Sequence, residues 1–159
     1  MKFSEVLKRE REKRDISPES AAEGMGLSLD EYMEFENDND QIAEEWANNL
    51  VDIAIELEVP TSRLLSKTGK SKDIEKDECG KQIVYQRENS HKKKTISDII
   101  GRLEMTQAEY AEIENCNSPI EKYGPLYLAF AELMDIPVIN ILCPEAIPYK
   151  LKRKERKIA

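Results

Sequence analysis

The sequence predicts an all-α protein. Apolar residues recur at spacings of three and four, as in Tyr32 and Phe35, or Leu50, Ile53, Ala54 and Leu57. No segment alternates apolar and polar residues as a half-buried strand does. Ser17, Ser28 and Thr95 stand just ahead of apolar runs, where helix N-caps belong. The chain has 159 residues, 40% of them hydrophobic and 35% charged, which suits one ordinary domain or two small ones.

A first helix is expected near Phe3 to Arg14. Ser17 then caps a second helix, with Pro18 at the first helical position, where a missing N–H costs nothing. Ala21 and Ala22 are small enough for close packing. Gly24-Met25-Gly26 makes a tight turn, because glycine adopts positive φ freely. Ser28 caps a third helix that carries Tyr32 and Phe35 on one face, and the polar run 37–40 breaks it. A fourth helix near Ile42 to Leu57 buries Trp46, Leu50, Ile53, Ala54 and Leu57. Val59-Pro60 ends it, and residues 61–65 form a last turn.

The pattern then occurs a second time. Tyr32-Met33-Glu34-Phe35-Glu36-Asn37 aligns with Tyr110-Ala111-Glu112-Ile113-Glu114-Asn115 at an offset of 78, which also pairs Arg9-Glu10 with Arg87-Glu88 and Ser17 with Thr95. Further on the offset is 77, pairing Leu50, Ile53, Ala54, Leu57 and Val59-Pro60 with Tyr127, Phe130, Ala131, Met134 and Ile136-Pro137. So long a period is no solenoid repeat; it marks two copies of one small domain. The stretch 67–80 lacks apolar periodicity and reads as a charged linker. The expected division is an acidic domain at 1–66, the linker at 67–80, a second domain at 81–147 and a basic tail at 148–159. In the second copy the first helix is expected from Lys81 to Lys94, and Tyr123-Gly124-Pro125-Leu126-Tyr127 is expected to start the fourth.

Helix, short glycine turn and helix, with small and apolar residues at fixed offsets, form a helix-turn-helix pattern. With Ala22, Gly26, Tyr32 and Phe35 at the turn positions, and Arg11 and Glu36 at the family's ion-pair positions, residues 3–66 resemble the lambda-repressor-like family (the Cro/repressor or XRE type). Residues 81–143 resemble it less closely. Glu104 replaces the turn glycine, Ile100 the small alanine and Asn89 the arginine, which leaves Glu114 without its expected partner. The resemblance implies two tandem five-helix domains and a cytoplasmic transcription regulator that binds DNA. It places Leu29, Asp30 and Glu34 of the first copy, and Gln107, Ala108 and Glu112 of the second, at base-reading positions. Pro18 and Ile96 fall at the phosphate position.

Charge argues the other way. The net charge is −8, and residues 1–66 hold 7 Lys and Arg against 17 Asp and Glu. DNA affinity rests largely on Lys and Arg neutralising phosphates, and the third helix of the first copy carries Asp30, Glu31, Glu34 and Glu36 with no positive residue. Two readings are therefore open. In one, the protein is a DNA-binding regulator that contacts DNA through Lys8, Arg9, Lys13 and Arg14 of the first helix, through Lys92, Lys93 and Lys94, or through Lys152, Arg153 and Lys154 of the tail, with Thr106 and Gln107 at the start of the second copy's third helix available to bases. In the other, the fold serves as a protein-interaction module, and Asp30, Glu31 and Glu34 dock a basic partner.

The remaining features exclude more than they suggest. No Gly-rich phosphate loop, nucleophile elbow or His–Asp–Ser set is present, so no enzyme activity is expected. Cys79, Cys116, Cys143 and His91 have no metal-ligand spacing, and neither a metal nor a cofactor is expected. The odd cysteine count argues against a disulfide scaffold and for a reducing compartment. No apolar run approaches the roughly 18 residues of a membrane span, and the opening Met1-Lys2-Phe3-Ser4-Glu5 does not read as a signal peptide. A homodimer is a further expectation, through an exposed apolar patch near Val138–Leu142.

Overall fold

The computed structural model describes residues 3–37, 41–75, 78–89 and 94–142. Among these residues every regular element is helical. Nine α-helices run in order: α1 (Phe3–Glu12), α2 (Pro18–Met25), α3 (Leu29–Glu36), α4 (Gln41–Leu57), α5 (Cys79–Asn89), α6 (Ile96–Leu103), α7 (Gln107–Glu114), α8 (Ile120–Met134) and α9 (Ile139–Leu142). Short 3-10 turns occupy Thr61–Leu64 and Ser71–Asp73. No helix among the described residues is long and apolar enough to cross a membrane.

Local chemistry sets the helix ends. Ser17 caps α2, its Oγ accepting from the Ser20 N–H at 3.1 Å. Thr95 caps α6 in the same way, in a reciprocal box with Asp98. Gly26 closes α2 at φ 72°, and Glu104 closes α6 at φ 55°. Glycine takes that left-handed conformation freely, whereas glutamate takes it under strain. Glu58 and Asp135 end α4 and α8 in the same conformation, at φ 58° and 56°.

The packing cuts across the sequence repeat. Within the first repeat α1 and α2 pack on α3, but α2 then rests on α8 and α1 on α9. Within the second, α5 and α6 pack on α7, but α6 rests on α4 and α5 on the 61–64 turn. The fourth helix and last turn of each repeat thus complete the other repeat. One group is α1, α2, α3, α8 and α9, built from the two outer parts of the chain. The other is the continuous stretch from α4 to α7. Phe35 shows the exchange directly, its ring lying 5.2 Å from Tyr127 and 6.1 Å from Phe130 of α8. The groups meet where α4 packs on α8 and α9, and where α8 packs on α5. A single buried core runs through both. Among the described residues, the packing groups divide the chain differently from the sequence repeat.

Other expectations are corrected locally. α5 begins at Cys79, inside the expected linker, because Glu121 of α8 accepts the Cys79 N–H at 3.2 Å and the Gly80 N–H as well. The 71–73 turn is also tied down, since the Ser71 N–H donates to Glu132 at 2.8 Å. α8 starts at Ile120, earlier than Tyr123, and carries Pro125 inside it. The proline there removes one backbone bond from a helix whose buried face, including Tyr127, Leu128 and Phe130, holds it in place. Val138, Ile139, Ile141 and Leu142 are buried, so the apolar patch expected to be exposed is covered within the chain.

Candidate functional site

The two third helices, α3 and α7, are built alike. A reciprocal box starts α3: the Glu31 N–H donates to Ser28 Oγ at 3.1 Å, and the Ser28 N–H donates to Glu31 Oε1 at 2.9 Å. The backbone N–H and hydroxyl of Ser28 hold the Glu31 carboxyl below its ordinary value. Tyr32, Phe35 and Glu36 point inward, and Leu29, Asp30, Glu31 and Glu34 are exposed. Arg11 of α1 anchors the far end. Its Nε and Nη2 donate to the two Glu36 oxygens at 2.8 and 3.0 Å, and Nη1 donates to the Ile16 carbonyl at 2.8 Å. Burial pushes the Glu36 carboxyl up, but the Arg11 bonds, the Tyr32 hydroxyl and the Arg11 charge together outweigh it, and the net shift is down.

α7 repeats the design. Thr106 Oγ accepts the Glu109 N–H, and Glu109 Oε1 accepts the Thr106 N–H, both at 3.1 Å. At the far end Arg87 Nε donates to Glu114 at 2.6 Å, and the Tyr110 hydroxyl donates to the same carboxylate at 2.8 Å. Glu114 is therefore not left without its arginine. The partner comes two residues earlier in the helix than the sequence offset places it, from Arg87 where Asn89 was aligned. Gln107, Ala108 and Glu112 lie exposed on the outer face.

The two faces differ in what they offer. Residues 18–37, which span α2 and α3, contain no Lys or Arg. Glu31 is committed to the Ser28 cap, so Asp30 and Glu34 are the outward carboxylates of α3, beside Leu29, which is 40% exposed. A phosphate there would meet negative charge. The α7 face sets an uncharged amide, Gln107, ahead of Glu112.

Of the candidate DNA contacts, Thr106 is engaged as a cap and Gln107 is exposed. Lys94 pairs with Glu56 of α4 at 3.1 Å, which spends its charge inside the fold. It lines an open cleft with Arg87, Glu88, Thr95, Ile96 and Ser97 at the start of α6. Asp98 already occupies that helix end, and Arg87 is held by Glu114. Lys92, Lys93, Lys152, Arg153 and Lys154 lie outside the described residues, as do His91 and Cys143. Cys79 is buried and Cys116 half-buried, and burial pushes both thiols up, away from a reactive thiolate. Among the described residues no group of three His, Cys, Asp or Glu is placed to hold a metal ion. Glu121 and Glu56, and Arg87 in its role as partner of Glu114, are the organising features that the sequence pattern does not single out; each acts across a distance that local spacing does not encode.

Compared with known families, curated proteins and solved structures, the chain matches no family model, no curated protein and no solved structure.

Proposed function

We propose that this chain is a protein-interaction module built on a repressor-type helix-turn-helix fold, with the outer face of α3 receiving a basic partner. The helix-turn-helix part of the reading is supported by the matched N-caps of α3 and α7, the left-handed closure of α2 and α6, and the paired Arg–Glu anchors. Each packing group also has the five helical elements of one such domain, with the last two supplied by the other repeat. The observation that carries the interaction reading is the α3 face itself. It presents Asp30 and Glu34 outward, and no cation stands anywhere on α2 or α3. Such a face repels a phosphate backbone and complements Lys and Arg side chains.

One observation favours the second reading, a DNA-binding regulator. Gln107 stands exposed at the first position of α7, and a glutamine amide pairs bidentately with an adenine edge.

Selection of full-length protein against a random duplex pool at about 50 mM salt separates the two, because electrostatic retention is strongest there. The interaction module enriches no motif. Its captured protein partner is lost when Asp30 and Glu34 are both changed to Lys. Enrichment of a defined motif that disappears with Gln107→Ala would overturn the proposal in favour of DNA recognition through α7.

A further inference from the structure

We propose that the molecule opens as two cooperative units that cut across its sequence repeat. One is an outer unit, residues 3–37 with 120–142. The other is a central unit, residues 41–115. The two Arg–Glu pairs and the ring contacts respect this division. The outer unit is held by Arg11–Glu36, by Phe35 against Tyr127 and Phe130, and by Leu133, whose Cδ1 lies 2.8 Å from where a Cβ on Gly24 would stand. The central unit is held by Arg87–Glu114, by Lys94–Glu56, and by the approach of Gly80 to the α7 backbone, where an added Cβ would stand 2.5 Å from the Ile113 carbonyl oxygen.

Between the units the polar contacts converge on α8, and α4 packs on both α8 and α9. Glu121 caps α5, Ser71 bonds Glu132, and Leu65 and Cys79 pack at Gly124. The chain passes from one unit to the other twice, after α3 and after α7. Helices that share a buried side chain lose their protection together, whereas helices joined through an interface open at a separate free energy. The consequence for recognition is that α3 and α7 ride on different units. Ordering one face does not oblige the other to follow.

Native-state hydrogen exchange on the full chain tests this with two conservative variants. Phe35→Leu is expected to speed exchange roughly tenfold in α2, α3 and α8, leaving α6 and α7 within about twofold of the parent. Ile99→Val, at a fully buried position on α6, is expected to do the converse, raising exchange several-fold in α4, α6 and α7 and sparing α2 and α3. Because the two variants perturb different units, either one alone carries the test if the other fails to fold. Two outcomes overturn the proposal: equal acceleration of all protected amides, or acceleration by repeat, in which Phe35→Leu loosens α4 together with α3 and spares α8.

Discussion

Arg11 and Glu36 meet in a fork of two hydrogen bonds, 2.8 and 3.0 Å long, with only 7% and 3% of their surfaces exposed. The pair ties α1 to the end of α3 and fixes the attitude of the candidate recognition helix. Removing one member strands the other charge in the core. Arg11→Met is therefore expected to cost about 3 kcal/mol, while the double change Arg11→Met with Glu36→Leu recovers much of that loss. Urea denaturation of the two variants checks it, and equal stability losses would count against a charge-stranding cost.

The same pair sets a pH dependence. The folded-state pKa of Glu36 lies below its ordinary value of 4.5, with burial opposing the shift and Arg11, aided by Tyr32, more than offsetting it. The folded form thus binds this proton more weakly than the unfolded chain. Its stabilising contribution is complete above the unfolded value and is lost as pH falls through the lower folded value. Stability measured from pH 7 down to about pH 3 should fall less steeply below about pH 4.5 in Glu36→Gln than in the parent. A slope unchanged in that window would show that Glu36 does not contribute to the acid limb.

Glu104 closes α6 in the left-handed conformation that Gly26 adopts at the end of α2. Glu104→Gly should relieve the strain and stabilise the protein by about 0.5–1 kcal/mol, after the entropy that glycine adds to the unfolded chain is deducted. Gly26→Ala should lose a similar amount, although nothing lies within 4 Å of the added carbon. Thermal unfolding of both variants reads the two signs.

Two glycines, Gly80 at the start of α5 and Gly101 of α6, should respond oppositely to alanine. A Cβ on Gly80 would stand 2.5 Å from the Ile113 carbonyl oxygen and 2.9 Å from that of Glu114, and backbone cannot retreat as a side-chain end does. Gly80→Ala should destabilise by about 2 kcal/mol or more. Gly101 on α6 has open space around it, so Gly101→Ala should stabilise by about 0.5–1 kcal/mol through helix propensity alone. Denaturation midpoints that move in the same direction for both would contradict the close approach of α5 to α7.

Much of the local architecture was legible in the sequence, because caps and closures depend on near neighbours. Ser17, Ser28 and Thr95 cap where they were expected to, and the paired chain reversals at Gly26 and Glu104, or Glu58 and Asp135, fall at the read offsets of 78 and 77. What could not be read was the partner of each apolar face. Leu50, Ile53 and Leu57 carry the same pattern as Tyr127, Phe130 and Met134, so either fourth helix satisfies either seat, and periodicity does not choose between them. The offset does not reveal Arg87 as the partner of Glu114 for a related reason. A fixed offset aligns Asn89 with Arg11, but the α5 arginine reaches Glu114 from half a turn earlier. Val138–Leu142 looked like a surface patch because its cover, α1 and α4, lies far away in sequence.

The contact of α1 with α9 brings the two ends of the described chain into one packing group, while residues 41–115 loop out and return. Tension applied between α1 and α9 therefore travels through the outer helices first. The central stretch joins that line through α4, which also packs on α9, while α5, α6 and α7 lie off it and are loaded only after α1 and α9 have parted. Pulled through α1 and α9, the described helices should yield in a fixed order that follows their packing groups, with the α7 face the last to lose its support.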